Sequence, residues 1–559
     1  MNNRFFILYA VFLFACKKSG NSTDDNKRPS VSIKAEMISV NPFTFHCTAI
    51  AYDSDGDPLT FSWNLGDGTV QDGTTEATKT YEADKEYTVT FTADDGKTQP
   101  TVASMRINTK TTTVSLDATK TFQTIDGFGG FGAQSEYWSN GPFTSDAFVS
   151  TLINDLGLTI LRDNIPTNFE ITNDNADPFV TDLSKFNLNT PAAGHDGTLS
   201  DHLEFLRNME AAGLQKLVVS IWSPAPWMKH NNKVGNGTQD QNSAPPYTTS
   251  PDETTNQLKT ENYHEFAEMC VAYIKIIKQQ TGIDVYALSV QNEPRFSQFY
   301  ASAVYSGAAL RDVVKVVGKR FKDEGIHTKL FLPEDIGWLG SVESMLKPTL
   351  EDPEARQYAD IVAVHGYDLD GLTAASPSAQ TWQTMYSWGA VHNKPLWMTE
   401  TSGFANSHEG AMDLAKAMYT AIKFGNASAW LFWSLSTSNL DAYSLMNSSG
   451  VKSKRYHVSK NFYRYIRPGA VRIDASTAEE SKIYPLAFRN AGQNTNTIIL
   501  INDNKEEGKA VRLIGTDSAA QYKMYTTSAS DDTADKGLVK GNDVILIPAN
   551  CVVTLYNEN

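Results

Sequence analysis

Two glutamates carry the chemistry this chain could do. Glu293 closes the run Val285-Tyr-Ala-Leu-Ser-Val-Gln-Asn-Glu-Pro294, and Glu400 closes Lys394-Pro-Leu-Trp-Met-Thr-Glu400 ahead of Thr401-Ser402-Gly403. Each run is short, mostly apolar and β-forming, the pattern of a strand buried on both faces. Pro294 stops the first of them. A carboxylate at the carboxyl end of a buried strand stands where a (β/α)8 barrel keeps its reacting groups. Two such carboxylates can face each other across the barrel mouth, an arrangement suited to acid/base and nucleophilic work on a sugar acetal. The plainer alternative for either one is a helix cap or a structural ion pair.

The elements that must position them follow a strand–loop–helix rhythm from Asp126 onward. Eight barrel strands are expected, centred on 127–132, 159–162, 216–222, 285–293, 329–334, 361–367, 395–400 and 429–434. Amphipathic helical stretches such as 263–279 and 307–323 separate them. This alternation predicts parallel pairing and an α/β fold, a (β/α)8 catalytic barrel over residues 111–466. Within it, 111–125 reads as strands of a side β-sandwich that residues 467–559 complete. Strand-like runs at 471–474, 483–489, 497–501, 510–514, 522–526 and 544–556 follow Arg467-Pro-Gly469. A sandwich holding both ends of the barrel's chain is expected to pack on it as one body.

Ahead of the barrel, residues 30–110 read as a small all-β unit with strands at 43–51, 59–65, 86–93 and 103–108. Its Asp53-Ser-Asp-Gly-Asp57 spaces acidic residues as Ca²⁺ loops do but lacks the downstream glutamate of an EF-hand, and an Asp/Gly turn is the other reading. Residues 1–15 combine Arg4 with an apolar run too short to span a bilayer, which fits a signal peptide. Residues 16–29 are polar and read as a flexible tether.

At 559 residues the chain is too long for one ordinary domain. A net charge of −16 argues against nucleic acid and anionic membrane surfaces as partners, and leaves neutral polysaccharide open. None of the four cysteines sits in a CxxC or Cys/His cluster, so structural zinc is not expected. Setting Cys16 aside leaves an odd number, which argues against a disulfide framework. No cofactor or metal is expected at the site.

Three resemblances sharpen this reading. Leu13-Phe-Ala-Cys16 resembles a bacterial lipobox, which implies cleavage before Cys16 and its lipidation. The protein would then be anchored by lipid alone to a bacterial membrane, the outer one, facing periplasm or cell surface. Trp63-Asn-Leu-Gly-Asp-Gly68 and Tyr87-Thr-Val-Thr-Phe91 resemble the PKD-type (polycystic kidney disease) immunoglobulin-like domain. Residues 111–559 resemble glycoside hydrolase family 30. The carrying motifs are Ile125-Asp-Gly-Phe-Gly-Gly-Phe-Gly132, Leu161-Arg162, Trp222-Ser-Pro-Ala-Pro-Trp-Met228, Gln291-Asn-Glu-Pro294, Val364-His-Gly-Tyr367, Trp397-Met-Thr-Glu-Thr-Ser402 and Ile466-Arg-Pro-Gly469.

The last resemblance implies a retaining hydrolase with Glu293 as general acid/base and Glu400 as nucleophile. Asn292 is then placed to hydrogen-bond the sugar 2-hydroxyl, or else caps backbone. Arg162 can hold Glu400 ionised, or be paired elsewhere. His365 and Tyr367, two apart on one strand, share a face and could orient Glu400 or touch sugar, while a core histidine is the alternative. Trp138, Trp227 and Trp433, near strand ends, are candidates to stack on sugar rings. The expected substrate is a plant-type β-glycan, β-1,4-xylan first, cleaved internally. A β-1,6-glucanase, an exo-acting β-glycosidase, or a non-catalytic glycan-binding lipoprotein are the alternatives. Some xylanases of the family hold a glucuronic acid branch with an arginine after strand eight. Here residues 436–451 contain neither Arg nor Lys, and Lys452, Lys454 and Arg455 follow only at the end. Weak dependence on such branches is expected unless Lys452 or Arg455 folds back.

Overall fold

A computed structural model describes residues 26–132, 145–192, 197–236, 255–336, 339–367 and 377–558. The chain divides into two compact units, Met1–Lys110 and Thr111–Asn559. The lipobox with Cys16 lies outside the described residues.

The first unit is all β. Strands β1 (Ser30–Val40), β2 (Phe43–Tyr52), β3 (Thr60–Asn64), β4 (Val70–Asp72), β5 (Glu76–Tyr81), β6 (Glu86–Asp94) and β7 (Thr101–Asn108) form two antiparallel sheets, ordered β1-β2-β5 and β4-β3-β6-β7. Alternate residues point inward, and Phe45, Cys47, Trp63, Tyr81, Val89 and Phe91 make the core. The sequence shows β2, β3, β6 and β7, whereas β1, β4 and β5 emerge only in the fold. Glu76-Ala-Thr-Lys-Thr-Tyr81 buries just Ala77 and Tyr81, too thin an alternation to read. Asp53 accepts the amides of Asp55 at 2.9 Å and Asp57 at 3.2 Å, the geometry of the turn reading, and Lys97 pairs with Asp57.

In the second unit, β9 (Gly127–Phe131), β10 (Ile160–Asn164), β11 (Lys216–Ser220), β12 (Val285–Ser289), β13 (Lys329–Asp335), β14 (Ala359–Gly366), β15 (Leu396–Thr401) and β16 (Ala429–Phe432) close into a parallel barrel. All eight coincide with the expected strands. Ile160, Val218, Ala287, Phe331, Ile361, Ala363, Trp397, Ala429 and Leu431 fill its interior. Their neighbours Leu161, Leu217, Val219, Leu288, Leu330 and Val362 face outward into the helix layer, so every strand is buried on both faces. Closure demands glycine at 129, where a Cβ would lie 1.7 Å from the Ile160 carbonyl oxygen.

The strand β8 (Thr111–Thr124) precedes the barrel but belongs to the side domain. Its first half runs parallel to Lys509–Ile514 and its second half antiparallel to Val471–Ser476. It thereby joins the side-domain strands into one continuous nine-stranded sheet, as the assignment of 111–125 to the side domain anticipates. The sandwich core survives because the sheet curls: strands from both ends, with Val511, Ile545, Tyr522 and Val553, share one apolar cluster. Period-two alternation splits the strand Thr495–Asn502 between two tasks. Ile498 and Leu500 enter that cluster, while Ile499 and Ile501 join the barrel's outer core. Side domain and barrel are therefore one packed body. Cys47, Cys270 and Cys551 are buried and unpaired.

A chain beginning at Thr111 should accordingly keep the near-ultraviolet circular dichroism of the barrel and a Tm within about 2 °C of its value in the full chain. Loss of cooperative unfolding in that shorter chain would show that residues 1–110 are part of the barrel's fold.

Candidate active site

Strand parity decides which side chains enter the barrel mouth. Ile160 lies inside, so Arg162 two residues on does also; Val218 carries Ser220 inward, and Ala363 carries His365. The carboxylates arrive by breaking parity. On β15 the pairing slips between Val364↔Met398 and His365↔Glu400, leaving Thr399 as the extra residue and bringing Glu400 level with His365. On β13 a similar slip leaves Glu334 unpaired between Pro333 and Asp335, with φ of 55°.

Glu293 differs from expectation. Strand β12 ends at Ser289, so Glu293 stands in the segment beyond it, with φ of 47°. The backbone holds it there: its amide donates to the Glu334 carbonyl at 2.9 Å, and the Asn292 amide donates to the Ile221 carbonyl at 2.7 Å. Left-handed backbone at a non-glycine residue costs on the order of 1–3 kcal/mol, so two such glutamates in one mouth mark where the fold is spent on placement.

Arg162 is fully buried and organises the floor. Its Nε donates to Glu334 Oε1 at 2.8 Å and to Ser220 Oγ at 3.1 Å. Nη1 donates to Glu400 Oε2 at 2.5 Å, and Nη2 to Asn292 Oδ1 at 2.7 Å. Its plane lies over the Trp222 ring at 4.8 Å. The hydroxyl of Tyr367 donates to Glu400 Oε1. His365 Nδ1 stands 3.0 Å from Glu293 Oε1 and 3.8 Å from Glu400 Oε1, and its Nε2 is 3.5 Å from Glu334 Oε1. One oxygen of Glu293 and one of Glu400 lie within 4.8 Å of each other.

These contacts divide the charges. Burial disfavours a charged His365, but Glu400, Glu293 and Glu334 outweigh it and raise the imidazole to about 10. Burial likewise disfavours the Glu334 carboxylate, yet Arg162 and His365 hold it below the usual range. Glu293 goes the other way: burial raises it, opposed by the His365 hydrogen bond and supported by the charge of Glu400. Two cations and two anions then balance only when Glu293 keeps its proton. Burial, with the charges of Glu400 and Glu293, lifts the Tyr367 phenol well above its ordinary value, so it remains a donor.

The residues singled out in the sequence come together in part. Glu293, Glu400, Asn292, Arg162, His365 and Tyr367 form one network. Trp433 stacks on Phe131 at 4.2 Å and stands 5.9 Å from Trp222, giving an aromatic wall beside Arg162. Trp227 donates its Nε1 to the Glu170 carbonyl at 3.3 Å, and its half-buried ring packs against the large core that also carries Trp222 and Trp433. Trp138 lies outside the described residues. Glu334, Ser220, Trp222 and Phe131 are functional neighbours that sequence reasoning passed over. Glu334 carries the same signal as Glu293 and Glu400, a glutamate at a barrel-strand end.

The basic residues after strand eight do not fold back. Lys452 Nζ pairs with Asp155 at 2.7 Å, and Lys454 Nζ pairs with Asp532 at 2.7 Å. Arg455 is fully buried and donates to the carbonyls of Phe404, Asp441 and Ser444.

Comparison with known proteins places both units. Residues 26–119 match the PKD domain. The match runs past Lys110 into β8, which the structure assigns to the side sheet. A glucuronoxylanase of Bacillus subtilis (strain 168) is 25% identical over 292 residues, which are 51% of this chain and 63% of that protein. The chain thus matches somewhat under two thirds of that relative's length. An endo-1,6-β-D-glucanase of Aspergillus fumigatus is 27% identical over 195 residues, 34% of this chain and 36% of that protein. Among solved structures, a glycoside hydrolase family 30 subfamily 8 xylanase from Clostridium acetobutylicum superposes with a TM-score of 0.61 at 22% identity, covering 80% of this chain and 99% of its own, a likeness of fold. The chain joins an N-terminal PKD domain to a barrel and side sheet similar to those of the glycoside hydrolase family 30 xylanases.

Proposed function

We propose that residues 111–559 form a retaining, endo-acting glycoside hydrolase whose first substrate is β-1,4-xylan. The observation that carries the reaction type is the separation of Glu293 and Glu400, oxygens within 4.8 Å. Retaining enzymes hold their carboxyl groups about 5–5.5 Å apart, whereas inverting ones leave about 6.5–9.5 Å for a water.

Glu400, held by Arg162 and Tyr367, attacks the anomeric carbon while Glu293 gives its proton to the leaving oxygen, so the glycosidic C–O bond breaks as the ester forms. Esterification removes the charge of Glu400, which had raised Glu293, so Glu293 becomes a carboxylate able to take a proton from the incoming water. Asn292 spends its Oδ1 on Arg162, which turns its Nδ2 toward use as a donor to the 2-hydroxyl. Glu400→Ala should abolish turnover. Glu293→Ala should fail on polymer but keep a fast first step with an activated aryl glycoside, and added azide should rescue it to a β-glycosyl azide. Rescue with the opposite assignment, or an inverted product, refutes the roles.

The charge balance makes a further prediction, read by ¹³C-carboxyl NMR. Glu400→Gln removes the anion that raises Glu293, so the Glu293 pKa should fall. His365→Gln removes the cation that lowers it, so the pKa should rise, and the alkaline limb of kcat/KM, set by loss of the Glu293 proton, should move to higher pH. Shifts of the reverse sign would refute the division of charge.

Xylan is favoured because a relative matching the barrel by sequence is named a glucuronoxylanase. The uronate requirement in that name is not carried over. Lys452, Lys454 and Arg455 are all committed elsewhere, and the stretches 133–144, 237–254 and 368–376, which follow strands β9, β11 and β14, contain no Lys or Arg. A carboxylate bound without a positive partner is costly. Glucuronoxylan and unbranched xylan should therefore be cleaved at rates within about tenfold of each other. A preference of about a hundredfold or more for the branched substrate would refute this loop argument. The second reading is a β-1,6-glucanase, favoured by the fungal relative. Sizing the products from xylan and β-1,6-glucan separates the two.

A further inference from the structure

A second group of carboxylates lies outside the site just described and has no task in its chemistry. Glu170 and Asp174 stand in the segment that follows β10, and Glu265 and Glu268 lie in the first two turns of the helix Tyr263–Thr281. Spacing of three along that helix puts Glu265 and Glu268 on one face, turned to the segment. Oxygens of Asp174, Glu265 and Glu268 lie within 4.8 Å of one another. Glu170 is coupled by charge to all three.

The group is buried and poorly compensated. Glu170 is 1% exposed and Glu268 is 0% exposed, and among the described residues neither carboxylate has a hydrogen-bond donor in good geometry on either oxygen. The nearest donors are the Asp174 amide for Glu170 and the Thr181 hydroxyl for Glu268. Asp174 Oδ1 and Glu265 Oε2 are unpartnered as well, while their other oxygens are used: Asp174 Oδ2 accepts from Asn175 and the Asp182 amide, and Glu265 Oε1 from Asn173 at 3.2 Å. The cation acting on Glu268 is Arg320, whose guanidinium is already engaged by Glu324, the Pro178 carbonyl and the Thr181 hydroxyl. Carboxylates gathered this closely repel one another, and burial removes the water that would screen them.

We propose that Glu170, Asp174, Glu265 and Glu268 form a Ca²⁺ site that pins the segment after β10 to the helix Tyr263–Thr281. Two oxygens bound to one Ca²⁺ at about 2.4 Å stand at most about 4.8 Å apart, the spread these three residues show. The donors are all carboxylate oxygens from a helix turn and a loop, a set that suits a large, geometrically tolerant hard cation. The absence of His and Cys from the group argues against zinc, and Mg²⁺ demands a tighter octahedron. The consequence reaches Trp227, whose indole hangs from the Glu170 carbonyl. This proposal is independent of the substrate and of the roles of Glu293 and Glu400.

The test uses the full chain carrying Asp53→Asn, which takes the acidic turn of the first unit out of play. After chelation, about 1 mM Ca²⁺ should raise the Tm of the barrel transition by about 3–6 °C. Equilibrium dialysis with ⁴⁵Ca²⁺ should recover one bound ion per chain. Glu268→Gln should abolish both responses and raise the Tm in chelator, because it removes an unpaired buried charge. If Glu268→Gln does not fold, Glu265→Gln, the more exposed of the helix pair, serves the same comparison. Equal Tm with and without Ca²⁺, or a Ca²⁺ response that survives these substitutions, overturns the proposal; the first outcome leaves a proton-sharing carboxyl cluster in its place.

Discussion

A guanidinium with no solvent exposure is the constraint on which the second unit's chemistry depends. Arg162 cannot lose its charge, so every N–H it presents must find an acceptor inside the barrel. It finds Glu334, Ser220, Glu400 and Asn292, and its flat face rests on Trp222. Removing one partner of such a buried pair leaves a bare charge, at about 3–5 kcal/mol. That penalty is what fixes Glu400 in place and what turns the Asn292 amide. Placement of Glu400 is thus a by-product of satisfying one arginine.

One arginine between two carboxylates leaves an excess of negative charge, and His365 answers it from the neighbouring strand. The imidazole touches all three glutamates but cannot satisfy them equally. Glu334 has Arg162 as well, and Glu400 has Arg162 and Tyr367. Glu293 has His365 alone at hydrogen-bonding distance and is the group that gains by remaining protonated. The difference between the proposed acid, Glu293, and the proposed nucleophile, Glu400, lies in the number of cationic and hydroxyl partners each carboxylate is given, since both are equally glutamates.

Much of this was legible in the sequence, for physical reasons. Short, near-continuous apolar runs in a strand–loop–helix rhythm located all eight barrel strands, and a spacing of two put His365 and Tyr367 on one face of theirs. The slips in register were not legible. Thr399 and Glu334 each add a residue that no alternation announces, and Glu293 turns on a left-handed backbone bracketed by contacts to Ile221 and Glu334, far away in the chain. The two directions in which β8 pairs along its length escaped for a related reason, since they depend on partners hundreds of residues later. Trp227, near a strand end, uses its indole N–H to hold the backbone carbonyl of Glu170, a contact no sequence pattern announces.

The basic residues after strand eight show how structural demand limits what a mouth can recognise. The helix Lys454–Tyr463 packs between the barrel and the side sheet, and its charges are spent on that seam. Lys452 and Lys460 converge on Asp155, lowering that carboxyl against the cost of burying it, and Lys454 reaches Asp532 across the seam. Arg455 is turned inward to cap three carbonyls of the adjoining loops. Freeing Arg455 would uncover carbonyls inside the protein, and freeing Lys452 or Lys454 would break pairs to the part-exposed Asp155 and Asp532. A cation for an acidic branch therefore has no source in this stretch without loosening the seam that holds the side sheet to the barrel.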